Sequence, residues 1–399
     1  MVFITADDRM IERCLERLVA QVESAGGTLA TDLLLKCVEG GLSIEASPDR
    51  QGELLLTLPS TIMPRIERFK IHLEEDDFII SSRDPGATPE TIGALETMLE
   101  LYNLTHKAAL HRQTASWPFL ESHPELIEII LAGRSGPALG KIAQLAREKR
   151  TKDLVLETFL KSRTLGFRRN PAEKPEKTLM PIIDFFNHHP QGAAYQPAEQ
   201  NGENVMLTIR KSQPDLPESR ECYACYGWYD SLDVWLNYNF LSEKTSFVRS
   251  IPLNIDLPGP CKIKARAFSA TQKHENLQPP IADLGLYLPH VIQQTEDTLE
   301  ITFLLIPGPN APRALRRVLG ALLRKLNPAF AERDDLVALA EEQVLAGNVA
   351  YYTKLKEILA TLELNGKKIE RSGEDLMQLC NLQLSRIEKY KAYALPAAA

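Results

Sequence analysis

The chain has 399 residues, 44% of them hydrophobic and 25% charged, proportions that suit a folded globular protein of two or three domains and exclude a disordered or fibrous one. Lys and Arg number 46 against 53 Asp and Glu, a net charge of −7, which argues against a dedicated nucleic-acid binder. The longest apolar run, Ile301 to Ile306, is strand-length, and Asp7, Asp8 and Glu12 interrupt any signal-peptide core, so no membrane partner and a cytoplasmic location are expected.

In chain order, Ile11, Cys14, Leu15, Leu18, Val19 and Val22 recur at helical spacing before Gly26 and Gly27, which predicts an amphipathic helix stopped by glycine. Apolar runs over residues 41–46 and 53–58 flank a polar segment and predict strand, turn and strand. Pro85, Gly86 and Pro89 then punctuate the chain, and from Thr91 to about Leu165 the pattern is helical, marked by Leu95, Leu99, Leu101, Leu126, Ile129 and Ile130. Strand patterns return at residues 205–209 and 222–226, so the sheet-forming parts lie on either side of the helices. Beyond Pro258 a Pro-rich stretch leads to a predicted strand pair, residues 286–292 (weakened by Pro289) and 299–306. Apolar stripes through Leu315 to Leu326, Leu336 to Val344, Leu355 to Leu362 and Leu376 to Ile387 predict a separate C-terminal helical domain. Arg313, Arg316, Arg317, Arg324 and Lys325 read as a solvated face of it. Apart from the small tail Ala397–Ala399, there is no low-complexity segment and no internal repeat.

Three chemical patterns are weak. SGPALGKI (residues 135–142) looks like a phosphate loop, but Ser135 stands at its first glycine and Ile142 at its magnesium-binding hydroxyl. DFFNHH (residues 184–189) offers Asp184, His188 and His189 as metal ligands, yet adjacent histidines on one element point apart and no second cluster answers them, so no metal is expected. Cys222 and Cys225 have C-x-x-C spacing without a partner pair, and the six cysteines are too scattered for a disulfide framework, so reduced thiols are expected.

The segment from Met180 to Leu241 is more specific. LMPIIDFFNHHP resembles the PliDmlNH stretch of SET-domain methyltransferases, and ECYACYGWYDSLDVWLNYNFL resembles their YG-x-x-S-N-x-x-L-L-x-x-YGF stretch, with Tyr238 twelve residues after Tyr226. GGLSIEASPDRQGELLLTLP (Gly40 to Pro59) is similar to the family's Gly-rich strand and the strand after it. SWPFLESHPE (Ser116 to Glu125) and FLKSRTLGF (Phe159 to Phe167) resemble its W-x-p-Y-L and S-R-x-F elements. The order of these pieces is that of the Rubisco large-subunit lysine methyltransferase class.

The resemblance implies an α+β protein: a SET fold of short twisted β-sheets split by a helical insertion, followed by a mainly helical domain. The divisions expected are 1–85 and 181–257 for the two SET halves, 86–180 for the insertion and 258–399 for a substrate-binding-like domain. It implies S-adenosylmethionine as cofactor and methylation of a protein side chain, lysine first. Tyr226 is then the catalytic tyrosine, with Tyr238 and Phe240 in the substrate channel. Gly40, Gly41, Leu42, Arg163, Asn187, His188 and Tyr226 bind the cofactor, Arg163 facing its carboxylate. For the glycines an ordinary turn stays open as the explanation, and for Arg163 a surface position. The chain departs from the family at Ser43, at Asp230 and Ser231 where Ser-Asn is usual, and at Asn239 where Gly is usual; an altered backbone at Asn239 would reshape the channel. Two other readings remain: a cofactor-binding or protein-interaction module that has lost its chemistry, and a metal-dependent hydrolase built on DFFNHH. Oligomeric state is not legible.

Overall fold

The computed structural model describes residues 2–212, 220–268, 275–276, 282–364 and 370–394, so the alanine tail lies outside the described residues. The chain is mixed α+β, with several small sheets and a helical C-terminal region. It divides into two compact units, one of residues 1–113 and 151–228, the other of residues 114–150 and 229–399.

In the first unit, Asp8 caps the helix Arg9–Ser24, which buries Ile11, Cys14, Leu15, Leu18 and Val22 and ends where Gly26 turns left-handed at φ 89°. That helix packs along the helix Pro89–Leu104. Two sheets run beneath. Phe3–Ala6 lies parallel to Leu34–Val38, which pairs antiparallel with Gly41–Glu45. A four-stranded antiparallel sheet has the order Gln196–Gln200, Glu203–Arg210, Leu54–Pro59, Thr28–Leu29. Leu35, Cys37, Leu42 and Ile44 are buried and alternate with more exposed neighbours; the strand Gly41–Glu45 was expected and its partner Leu34–Val38 was not. The hairpins Lys70–Ser82 and Thr164–Leu179 carry charged residues in both of their short strands or beside them and were not expected. A parallel pair, Asn187–Ala193 with Tyr223–Ala224, completes the unit.

The second unit contains the helices Ser116–Ser122, Ile127–Gly133, Pro137–Arg147 and Ser231–Tyr238. Its five-stranded sheet has the order Leu253–Asp256, Lys262–Arg266, Thr298–Thr302, His290–Gln294, Glu275–Asn276, and three long helices follow, Ala314–Leu326, Asp334–Leu364 and Arg371–Ala394. The expected strand 299–306 is broken, because Phe303 turns left-handed at φ 65° and Leu305–Ile306 leaves to pair with Val248–Arg249. The strand expected at 286–292 begins only at His290, beyond Pro289 and a 3₁₀ turn. Two expected stripes merge into the single helix Asp334–Leu364. They look separate because buried Asn348 interrupts the apolar pattern at mid-helix, where its Oδ1 accepts from Ile251 N (3.0 Å) and its Nδ2 donates to Ser250 Oγ (2.9 Å).

Residues 114–150 of the expected insertion and residues 229–257 of the expected second SET half fall together in this unit for an electrostatic reason. Arg134, 2% exposed, donates through Nη2 to Asp230 (2.8 Å) and through Nε to Asp233 (2.8 Å), and both carboxylates are buried. Asp230 also accepts from Arg249 N and Gln383 Nε2, and caps the helix Ser231–Tyr238. Arg386 bonds Ser231 Oγ at 2.7 Å. Breaking a buried ion group by removing one partner strands the opposite charge. Arg134→Met should therefore destabilise the protein by about 3–5 kcal/mol, read from urea unfolding, while Arg333→Met, at an exposed pair with Asp335, should leave the unfolding midpoint where it is.

Candidate active site

The motif residues of the first unit gather on the segment 184–188. Asp184 sits in the 3₁₀ turn Ile183–Phe185, its side chain 5% exposed, and accepts from Tyr102 OH at 2.7 Å. Arg163, at the end of the helix Thr151–Arg163, donates from Nη1 to both the carboxylate and the carbonyl of Asp184, each at 3.3 Å, and lies over the Phe159 ring. Burial raises the Asp184 carboxyl above its usual range, and Arg163 and the Tyr102 hydroxyl oppose that shift. Arg163 is thus held by a buried carboxylate while its side chain stays a quarter exposed.

Asn187 and His188 begin the strand that runs parallel to Tyr223–Ala224, so Asn187 stands opposite Tyr223 and His188 opposite Ala224. Gly192 permits this approach, since a Cβ there would lie 2.6 Å from the carbonyl carbon of Ala224. Asn187 is exposed and its Nδ2 donates to Glu221 Oε1 at 2.7 Å. His188 Nδ1 accepts from Tyr226 N at 3.2 Å, and the two rings lie 5.1 Å apart. An imidazole that accepts at Nδ1 is neutral, and burial pulls the His188 pKa down to about 4.

Tyr226 is fixed at both ends: its hydroxyl donates to Phe186 O at 2.5 Å, and its amide is held by His188. Burial, with the carboxylates Asp184 and Glu221, pushes its phenol above the ordinary range, so it stays protonated at neutral pH. The strand expected over 222–226 is shorter, since only Tyr223–Ala224 pairs and Tyr226 lies beyond it.

Gly40 and Glu39 form the two-residue turn of the hairpin Leu34–Glu45, both left-handed, at φ 73° and 50°. That is the turn in which glycine is favoured, so the turn accounts for Gly40. Gly41 begins the return strand and Leu42 is buried opposite Cys37. This strand packs against the Ile183–Phe185 turn. The carbonyl of Gly40 accepts from Lys107 Nζ at 2.6 Å, a contact that spans 67 residues and leaves no local pattern.

Tyr238 and Phe240 belong to the second unit. Tyr238 ends the helix Ser231–Tyr238, its ring 5.6 Å from Tyr229. Asn239 takes the left-handed C-cap at φ 66°, a conformation that Asn tolerates next best to glycine. Asn239 also does what glycine could not: its Oδ1 accepts from Ser116 N and Oγ, both at 3.1 Å, at the start of a helix whose N-cap, Ala115, offers no side-chain acceptor.

The DFFNHH side chains are spent on other partners: Asp184 on Tyr102 and Arg163, His188 on Tyr226, and His189 on Gln191 N at 3.1 Å. Among the described residues no group of three His, Cys, Asp or Glu is arranged to hold a metal ion. Gly136 of the phosphate-loop-like pattern is the N-cap of the helix Pro137–Arg147. Burial raises the Cys222 thiol to about 12, which leaves it unreactive at neutral pH. No described helix is long and apolar enough to cross a membrane.

Neither a protein-family profile nor a curated protein sequence matches the chain. Among solved structures it is similar to the SET domain of LSMT bound to lysine and AdoHcy, at 14% identity over 95% of this chain and 90% of that one, with a TM-score of 0.39. The SET domain of LSMT bound to methyllysine and AdoHcy gives 13% identity, the same coverage and the same TM-score, 0.39.

Two outcomes are expected. Asn239→Ala should cost about 2 kcal/mol, from left-handed strain plus the lost Ser116 bonds, and Asn239→Gly about half of that, because glycine relieves the strain; thermal unfolding of both variants reads the order. His188 has a folded pKa of about 4, below the unfolded value of about 6.5. The stability its neutral ring contributes is complete above that unfolded value and is lost as pH falls toward 4. Urea unfolding at several pH values should give a shallower slope for His188→Gln than for the parent protein.

Proposed function

We propose that this protein is a SET-type methyltransferase that uses S-adenosylmethionine and methylates a protein side chain, lysine first. The observation that carries the reading is the union of two distant motif segments: Tyr226 is clamped by Phe186 O and His188 Nδ1, directly beside the Arg163–Asp184 pair. When bound, S-adenosylmethionine supplies an electrophilic methyl group on a sulfonium; the amine nitrogen gains the carbon, the S–C bond breaks, and the amine proton goes to solvent, leaving S-adenosylhomocysteine.

The residues present fit such a ligand. Arg163 offers a charged donor to a carboxylate, and its own carboxylate partner keeps it in place. Asn187 and Glu221 supply polar groups of both kinds at an exposed edge. Tyr226 is a neutral hydroxyl whose proton is directed at Phe186 O, which turns its oxygen lone pairs away from that carbonyl and suits it to orient a polarised methyl group. A phenol held protonated is no general base, so the amine must lose its proton before transfer. A site with the half-buried Arg163 and a sulfonium disfavours an ammonium beside it, which assists that loss. Tyr238 and Phe240 are assigned, by resemblance, to the lysine channel, where aromatic faces tolerate an alkyl stem and a cationic head.

Calorimetry with S-adenosylmethionine tests the reading. Binding should occur without added metal and survive EDTA. Tyr226→Phe should leave that affinity within about twofold yet lower single-turnover methyl transfer to protein by roughly a hundred- to a thousandfold, the scale of one preorganised polar group. No binding would remove the reading; binding with no labelling of any protein would leave a module that has lost its chemistry.

A further inference from the structure

The first unit buries two lysines: Lys211 spends its ammonium on the carbonyls of Ala46 and Ser47, and Lys107 is the one on which Arg163 and Asp184 act. It opens the helix Lys107–Thr114, is 7% exposed, and uses one of its three ammonium donors on Gly40 O. A buried lysine is normally matched by a carboxylate within reach. Among the described residues no salt bridge to Lys107 is formed, and the charges that act on it are Arg163, which repels it, Asp184, which attracts it, and the thiol Cys37, which burial keeps in its neutral form. Asp184 is already the partner of Arg163 and the acceptor of Tyr102. Two cations therefore act on one carboxylate, and the charges that reach the buried Lys107 carry a positive excess. Such an excess is costly in isolation and favours an anionic ligand.

We propose that Lys107 is a second cation, beside Arg163, of a buried seat for the carboxylate of an α-amino-acid ligand, which on the methyltransferase reading is the methionine end of the cofactor. The seat has three sides. Arg163 presents a planar donor set, partly exposed and braced by Asp184. Lys107 presents a compact ammonium anchored to the Glu39–Gly40 turn. The strand that follows this turn packs on the Ile183–Phe185 turn that carries Asp184, so both cations are held to the same piece of backbone. An arriving carboxylate restores neutrality, and the burial of Lys107 helps its ammonium discriminate between ligands with and without that group. Lys107 is a binding residue in this account, with no part in the transfer of the methyl group.

The test is calorimetric and does not depend on turnover. S-Adenosylhomocysteine and its decarboxylated analogue, which keeps the amine, are titrated into the wild type, Lys107→Met and Lys107→Arg. Lys107→Met should weaken S-adenosylhomocysteine by about tenfold or more, the scale of one charge-assisted hydrogen bond, and leave the decarboxylated analogue within about twofold; Lys107→Arg should keep most of the discrimination. Equal loss on both ligands would show that Lys107 only braces the Gly40 turn and would overturn the proposal, as would no loss on either. Should Lys107→Met fail to fold, Arg163→Met leaves Lys107 in place and should still prefer the ligand with the carboxylate by about tenfold; equal affinities there would also overturn it. A wild type that binds neither ligand would reject the methyltransferase reading and the seat together, whereas a wild type that binds both with equal affinity would reject the seat alone.

Discussion

A carboxylate taken out of water must be compensated on every side, and at Asp184 this constraint fixes the geometry of the candidate site. Tyr102 from one helix and Arg163 from another meet on it. The chain that leaves Asp184 has little freedom: two residues later Phe186 offers its carbonyl to Tyr226, and the next two residues pair with the strand before that tyrosine. Because the interior tolerates a charge only with its partners in place, the carboxylate works as a register pin. Shifting the segment by one residue would put Phe185 or Ile183 where a charged partner is required.

The second unit solves a similar problem differently. Its buried charges form a group in which Arg134, Arg249 and Gln383 surround Asp230, and Arg134 and Arg249 also hold Asp233. Asp230 and Ser231, which differ from the motif the sequence resembles, are the very ones this group uses, together with Arg386 from the last helix. The departure is therefore accounted for by packing within this unit. Asn239 takes a left-handed backbone and adds an acceptor at the start of the helix Ser116–Ser122.

The sequence was most legible where burial has a simple period. The helix Arg9–Ser24, the strands Gly41–Glu45 and Leu54–Pro59 and the helix Ala314–Leu326 each place apolar residues at one spacing and are found within a residue or two of expectation. The hairpin of residues 70–82 was missed because each strand carries only two or three apolar residues, Ile71 and Leu73 in one and Phe78 to Ile80 in the other, on either side of four acidic residues. Asn348 disguised one long helix as two, and Phe303 ended a strand that hydrophobicity alone would continue. Within the site, residues borne by local motifs could be named: Arg163, Asn187, His188 and Tyr226. Lys107, Tyr102 and Glu221 could not, because their partners Gly40, Asp184 and Asn187 lie 67, 82 and 34 residues away, and a single sequence carries no trace of such pairings.

The anchoring of Gly40 by Lys107 has a bearing on the order in which the first unit is made. The hairpin Leu34–Glu45 closes through a two-residue turn, a local event on the scale of about 1–10 μs, so its turn exists before the rest of the unit. The ammonium that fixes the carbonyl of that turn arrives only with a helix 67 residues later, whose docking must first bear the loss of freedom of the intervening loop. The turn is thus early in shape and late in rigidity. Local opening of the helix Lys107–Thr114 would loosen the turn without unpairing the hairpin, and amide hydrogen exchange at Gly40 would track the helix rather than the strands that flank it.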